Sequence, residues 1–226
     1  MKKNYLLVTL SLLCFSAYSQ QLYQVSFSGG TNFSWFTLST TQNVLIRISD
    51  DGKILESGTE EQALNNRNYY APKLRAFQGR IDYYSNESDS AFRGKIKSIG
   101  NCYFTYFPST DYPEKAGKIK SAGSLFFDYY RKFEDNLYAG KIKSIGTDAI
   151  AYYSSAENEA FKGKLKAVGR TSIVYFASYE DRSLKGKIKS IGSFQYVWYN
   201  SFDRSAGALK SGLQRQPVNG VTYIIQ

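Results

Sequence analysis

The chain has 226 residues, a formal net charge of +10 and no histidine, and it is rich in tyrosine, with 20 residues, and in glycine, with 18. The lack of histidine excludes His-based catalytic triads, His-ligated metal sites and the usual near-neutral proton shuttle. Tyrosine and glycine at this level favour strands and turns over helices. We therefore expect an all-β protein without a cofactor or a metal.

Residues 1–19 have the pattern of a secretory signal peptide. The first residues carry two lysines, an apolar run follows over Tyr5–Phe15, and Ala17 and Ser19 supply the small residues of a cleavage site. The apolar run is too short for a membrane-spanning helix, which needs about 20 residues. We expect export to the periplasm, the outer membrane or the cell surface of a Gram-negative bacterium, with no transmembrane segment in the mature chain.

Residues 20–71 are predicted to form an N-terminal β cap. Asn43–Ser49 reads as a strand, and the Asp-Asp-Gly sequence at 50–52 reads as a tight turn. Residues 59–68 form either one helical turn or a loop. No segment of the chain has the pattern of a long helix.

The middle of the chain repeats the phrase Gly-Lys-Ile-Lys-Ser-Ile-Gly with a period of 23 residues. A fixed period makes the protein an array whose unit explains the whole. The copies are Gly94–Gly100, Gly117–Gly123, Gly140–Gly146, Gly163–Gly169 and Gly186–Gly192, and a matching pattern begins at Pro72. We assign 72–204 to the repeats and 205–226, with a last strand at Val221–Ile225, to C-terminal cap strands. Caps are expected to cover the ends of the core.

Each unit is predicted to contain two short strands and one longer loop. The first strand, Lys95–Ser98, places its lysines on one face and Ile96 on the other. The second strand lies near Tyr103–Phe107, with alternate aromatic residues on a common face. Ile99 breaks the alternation, so it is placed at a bend beside Gly100, a residue that tolerates unusual backbone angles.

Two arrays of about six or seven such units fit the pattern. One is a run of antiparallel hairpins that form an extended twisted sheet, and the other is a parallel β-solenoid with one coil per unit. In a solenoid the equivalent lysines would stack about 4.8 Å apart, and like charges directly opposite each other are destabilising. We favour the hairpins and keep the solenoid as the alternative, because tyrosine ladders would suit it.

Two lysine columns form a candidate face for an anion or a partner protein. Its members are Lys95, Lys97, Lys118, Lys120, Lys141, Lys143, Lys164, Lys166, Lys187 and Lys189. An acidic column runs in parallel and is available to pair with these lysines: Asp111, Glu134, Glu157, Glu180 and Asp203. This neutralisation favours a solvated face over an anion-binding one.

Nothing in the sequence favours an enzyme. A glycoside hydrolase uses one pair of carboxylates in a cleft, whereas five carboxylates in equivalent positions indicate a structural role. Cys102 occupies a strand position and is interpreted as a small buried residue. Most of the repeated aromatic residues are assigned to the core, and only those at loop ends, such as Tyr112 and Tyr179, are candidates for exposed contacts.

The start of each unit, as in Tyr138-Ala139-Gly140-Lys141-Ile142, resembles the MORN repeat, whose 23-residue β-hairpins form an extended sheet. The likeness covers roughly 72–212, although the later Gly-x-Gly of that family is missing. The chain is also similar to small exported repeat proteins of Bacteroidota, a group that includes the plug of the type IX secretion translocon.

Two functional classes remain open on this evidence. The first is a protein-interaction or structural component of a cell-envelope complex, such as a translocon plug, with an envelope protein as its partner. The second is a binder of acidic glycan or lipopolysaccharide through the lysine-rich face. Export argues against a nucleic-acid partner.

Overall fold

The computed structural model of the chain describes residues 20–60, 73–87 and 89–226. Within these ranges the protein is all β, as predicted, and contains no helix that could cross a membrane. The predicted signal peptide and most of the segment considered as a helical turn lie outside the described residues.

The chain forms twenty strands over these ranges. In chain order they are β1 (Gln21–Ser28), β2 (Asn32–Ser39), β3 (Leu45–Ile48), β4 (Ile54–Thr59), β5 (Arg75–Ala76), β6 (Ile81–Tyr83), β7 (Ile96–Ile99), β8 (Cys102–Tyr106), β9 (Ile119–Ala122), β10 (Leu125–Tyr129), β11 (Ile142–Ile145), β12 (Asp148–Tyr152), β13 (Leu165–Val168), β14 (Thr171–Tyr175), β15 (Ile188–Ile191), β16 (Phe194–Gln195), β17 (Val197–Trp198), β18 (Leu209–Ser211), β19 (Arg215–Val218) and β20 (Val221–Ile225).

The repeats form an antiparallel meander, which we call the array. Its eleven strands, β6 to β16, follow one another in sequence order, and β17 pairs with β18 just beyond them. In the hairpin of β11 and β12, for example, Ser144 pairs with Ala149. Gly100 opens the equivalent two-residue turn with φ of 55°, which is typical of a type II′ hairpin turn. The hairpin array is therefore confirmed, and the parallel solenoid is wrong.

A β-bulge in each first strand explains the broken alternation of the sequence. Ile96 and Ser98 pair with Tyr83 and Asp82, so Lys97 is an extra residue between them. Ile99 is therefore buried inside its strand rather than placed at a bend, because the bulge shifts the alternation by one residue. The same bulge recurs at Lys120, Lys143, Lys166, Lys189 and Lys210.

The strands from both ends of the chain build one further sheet, which we call the cap sheet. Its strand order is β19-β20-β1-β2-β3-β4-β5, and β1 and β20 run parallel. The cap sheet shares one core with the array, so that Val25 and Phe36 cluster with Ile142 and Phe104. The prediction that the caps cover the ends of the core is therefore wrong. The two caps together cover one face of the array.

The first predicted repeat is divided between the two sheets. Its first strand, Arg75–Ala76, pairs with Gly58 and Thr59 of the cap sheet, whereas its second strand is β6 of the array. A side chain at Gly58 would lie 2.1 Å from the carbonyl oxygen of Arg75, so glycine allows this close pairing. The match to the repeat phrase thus predicted a strand but not its partner.

Candidate functional site

The second lysine of each repeat phrase belongs to what we call the outer column. Because each of these lysines is the bulge residue, its side chain is turned towards the preceding unit. Each ammonium lies 5.1 to 5.9 Å from the centre of an aromatic ring in that unit. The pairs are Lys97 with Tyr84, Lys120 with Phe107, Lys143 with Tyr130, Lys166 with Tyr153, and Lys189 with Phe176.

Three outer lysines also pair with the acidic column. The Nζ–Oε1 distances are 2.6 Å for Lys143–Glu134, 3.2 Å for Lys166–Glu157 and 2.8 Å for Lys189–Glu180. Asp111 and Asp203 instead accept hydrogen bonds from nearby backbone N–H groups. The neutralisation that the sequence suggested is thus present in three of the five units.

The first lysine of each phrase belongs to an inner column with different surroundings. The ammonium groups lie 4.3 to 5.2 Å from the ring centres of Tyr106, Tyr129, Tyr152, Tyr175 and Trp198. Lys164 donates a hydrogen bond to the carbonyl of Gly186 at 2.8 Å, at the start of the next unit. Lys95, Lys118 and Lys141 make the equivalent bond. The ten lysines therefore do not form one continuous face.

Turns of the cap sheet cover three of the inner lysines. The carboxylate of Asp50 lies 2.9 Å from Lys141, and the carbonyl oxygens of Thr31 and Gly29 lie 2.9 Å from Lys164 and Lys187. Burial lowers the pKa of Lys164 to about 8, as expected where a charged group is desolvated. Each covered lysine is thus matched by an oxygen of the cap sheet.

The other two inner lysines border an open cleft between the cap sheet and the array, which we call the inner cleft. Its volume is about 450 Å³, and Lys53 adds a third ammonium beside Asp51. Burial lowers the pKa of both Lys95 and Lys118. The rest of the lining is largely apolar and includes Ile54, Ile96, Tyr106 and Ile119. Lys53 belongs to a weaker echo of the repeat phrase, Gly52–Gly58, and the sequence analysis did not place it beside the lysines of the repeats.

A column of Asp and Asn side chains, missed by the sequence analysis, links successive loops. Each accepts a hydrogen bond from the backbone N–H of a serine twenty residues later, at 2.9 to 3.2 Å. The pairs are Asp89 with Ser109, Asp135 with Ser155, Asn158 with Ser178, and Asp181 with Ser201. The 23-residue recurrence of these side chains is the signal that could have revealed the links.

Large aromatic side chains project from the loops that these links hold. Tyr112 and Tyr179, the two predicted loop-end contacts, are 53 % and 82 % exposed. Phe133 and Phe202, which the sequence analysis missed, occupy the same repeat position as Tyr179 and are 80 % and 95 % exposed. Arg131 stacks over Tyr112 with its guanidinium 3.8 Å from the ring centre. We call the four exposed aromatic residues the loop edge: Tyr112, Phe133, Tyr179 and Phe202.

The remaining candidates offer no reactive site. Cys102 is buried, as predicted, and burial raises the pKa of its thiol to about 11, so it is not activated as a thiolate. Across the described ranges, no three acidic or cysteine side chains are grouped so that they could hold a metal ion. The candidate binding surfaces are therefore the outer column, the inner cleft and the loop edge.

No protein-family model, curated protein or solved structure matches the chain.

Proposed function

We propose that the chain is an exported, non-enzymatic component of a cell-envelope complex, and that its loop edge binds an envelope protein. The observation that carries this proposal is the exposure of large aromatic side chains at one loop position in three units. Single exposed apolar residues need no explanation, but a repeated set of them along one edge marks an interaction surface.

The chemistry of the loop edge suits a protein partner. Tyrosine, phenylalanine and arginine are enriched at protein interfaces, where a few aromatic anchors supply most of the binding energy. Successive units are two strands apart, so Tyr179 and Phe202 lie about 10 Å from each other along the array. The loop links fix the segments that carry these rings, which lowers the entropy lost on binding.

The envelope location is inferred from the sequence of residues 1–19, which has the charge, apolar run and small residues of an export signal. A structural part in a membrane-associated assembly, for which a translocon plug is one example, would use such an edge to hold a neighbouring subunit.

The proposal is tested by capturing envelope proteins with the tagged full chain. Phe133→Ser combined with Tyr179→Ser should reduce recovery of the captured partner by about tenfold or more, because each anchor contributes about 1–2 kcal/mol. The matched control is Phe126→Ser with Tyr103→Ser, an exposed Phe and Tyr on the array strands. Undiminished capture by the loop-edge variant, or an equal loss in both variants, would refute the proposal.

A second candidate function is binding of acidic glycan or lipopolysaccharide through the outer column. It is favoured by Lys97 and Lys120, which are exposed and, within the part of the chain that the structure describes, form no ion pair like those of the later units. Lys97→Gln with Lys120→Gln should then weaken binding of lipopolysaccharide, with a loss that shrinks as salt is added. Equal binding by the wild type and this variant at low salt would exclude the outer column as the site.

A further inference from the structure

The inner lysines that line the inner cleft have no contact with an oxygen of a described cap-sheet turn, unlike the other three. Along the described array, Lys141, Lys164 and Lys187 each meet an oxygen of a cap-sheet turn, whereas Lys95 and Lys118 open onto the cleft. An ammonium has three N–H donors. Lys95 and Lys118 each give one to a glycine carbonyl of the next unit, which leaves donors for a further acceptor.

The covered lysines meet two kinds of acceptor, which are backbone carbonyls at Lys164 and Lys187 and a carboxylate at Lys141, the next inner lysine after Lys118. At Lys141 the acceptor is a carboxylate, that of Asp50 in the turn between β3 and β4. Equivalent lysines stand in the same repeat position, over the same type of ring, and carry the same glycine contact. A carboxylate brought to Lys95 or Lys118 would therefore make the contact that Asp50 makes one unit further along.

The rest of the cleft selects among carboxylate ligands. The lining contains three lysines and one acid, and that acid, Asp51, is paired with Lys53 at 2.8 Å. Asp89 lies near Lys95, and Glu114 lies near Lys118, but neither lines the cleft, so the charges that face the cleft are mainly positive. Its walls are mainly Ile54, Ile96, Ile119 and the ring of Tyr106, together with short side chains. An inorganic anion would leave this apolar surface unfilled, and a uronic acid would bury hydroxyl groups against isoleucine without hydrogen-bond partners. An acidic peptide with an apolar neighbour satisfies both parts of the lining.

We propose that the inner cleft binds an acidic segment of a partner protein, with an Asp or Glu carboxylate at Lys95 or Lys118 and an adjacent apolar side chain against the isoleucines. This inference rests on the proposed protein-binding function and adds a second contact, separate from the loop edge. The bound segment would imitate the Asp-Asp-Gly turn with which the cap sheet covers Lys141.

The test is a titration of the full chain with the peptide acetyl-Leu-Asp-Asp-Gly-Leu-amide, followed by calorimetry or by NMR shifts. Lys95→Gln with Lys118→Gln should weaken binding by about tenfold or more, since a charge-assisted hydrogen bond is worth about 1.5–3 kcal/mol. The control, Lys120→Gln with Lys143→Gln, removes the same charge from the outer column and should change the affinity by less than about twofold. Equal losses in the two variants would show only long-range attraction and would overturn the proposal.

A second variant keeps every charge and blocks the cleft. Ala116 lines it, so Ala116→Trp should abolish peptide binding while circular dichroism remains that of the wild type. Polygalacturonate and inorganic phosphate serve as competing probes, and tighter binding of either at the cleft would overturn the choice of a peptide. Failure of the wild type to bind the peptide would also overturn it.

The loop-edge variant separates this inference from the proposed function. Phe133→Ser with Tyr179→Ser should leave peptide affinity unchanged, because neither residue lines the cleft. A loss of partner capture in that variant, together with no peptide binding by the wild type, would refute the cleft and retain the loop edge. Peptide binding by the wild type, together with undiminished partner capture by the loop-edge variant, would refute the loop edge and retain the cleft.

Discussion

The aromatic residue that ends most second strands of the array donates a hydrogen bond back into its own unit. The hydroxyls of Tyr106 and Tyr129 and the indole N–H of Trp198 reach carbonyl oxygens ten residues earlier, at 2.7 to 2.8 Å. Tyr175 does the same at 3.0 Å. Tyr152 is the exception, since its buried hydroxyl has no hydrogen-bond partner among the described residues.

This difference gives a matched pair of substitutions. Tyr129→Phe should lower the free energy of unfolding by about 1 kcal/mol, because it leaves the carbonyl of Ile119 without its donor. Tyr152→Phe should be neutral or slightly stabilising, because it removes a buried polar group without a partner. Urea unfolding measures both. Equal losses in the two variants would mean that the hydroxyl of Tyr152 is bonded in solution.

The buried tyrosines also set the behaviour of the protein in alkali. Burial raises the pKa of Tyr196 and Tyr223 to about 12 and raises those of Tyr106, Tyr129 and Tyr175 further, from about 10 in the unfolded chain. Between these values the folded state holds more protons on its tyrosines than the unfolded state, so the contribution of the tyrosines to stability is fully present below about pH 10 and is lost as pH rises above it.

Urea midpoints measured from pH 10 to 11.5, with tyrosinate absorbance followed in parallel, check this expectation. Lys164 has the opposite effect on stability, because its pKa is lowered in the folded state, so that its contribution rises with pH between about pH 8 and 10.5. The midpoint at pH 10 therefore serves as the reference for the higher values. Complete ionisation of the tyrosines near pH 10 without unfolding would contradict the assigned burial.

At the scale of the hairpin, two apolar residues of each first strand, which are isoleucines in β11, anchor the unit. Ile142 is fully buried, and Ile145 lies on the same side because the bulge at Lys143 lies between them. Ile142→Ala should therefore lower the free energy of unfolding by about 2–4 kcal/mol through the cavity it creates. Val174→Ala, at a half-exposed position of a second strand, should change it by about 0.5 kcal/mol or less. Similar effects at both positions would contradict the assignment of faces.

The hairpins themselves could be predicted because their signals are local. A glycine that opens a two-residue turn and apolar residues at fixed offsets recur in every unit, and both are visible without knowledge of the fold. The bulge could not be located in this way, since alternation shows that Ile99 is out of phase but not which residue is extra. The pairing of Arg75–Ala76 with the cap sheet could not be predicted either, because a strand pattern does not identify the partner strand.

On the scale of the whole molecule, the two tryptophans lie in different sheets. Trp35 lies in the cap sheet, whereas Trp198 lies in β17, just beyond the array, and packs against the turn at Gly30. Trp35→Phe and Trp198→Phe each leave a single tryptophan. Because the two sheets share one core, we expect the urea midpoint measured by tryptophan fluorescence to equal that measured by far-UV circular dichroism in each variant. Two separate transitions would show that the array unfolds independently, as isolated repeat arrays can.

The candidate site was only partly accessible from the sequence. The lysine columns and the exposed Tyr112 and Tyr179 follow from the period alone. The inner cleft needs Lys53 of the cap sheet beside Lys95 of the array, and this contact depends on how the two sheets stack. The cap sheet itself depends on the pairing of β1 with β20, which are nearly the whole chain apart.

The contacts between the two sheets also determine how many repeats the protein can have. An array held only by bonds between neighbouring units could gain or lose a 23-residue copy without disturbing any of them. Here the cap sheet accepts a hydrogen bond from Asn101 of the first copy, through Gln42, and donates one to Thr171 of the fourth, through Asn219. A copy inserted between these points would move them about 10 Å further apart. Both hydrogen bonds can form only with the number of copies that this chain has between them, so strands outside the repeats limit the length of the array.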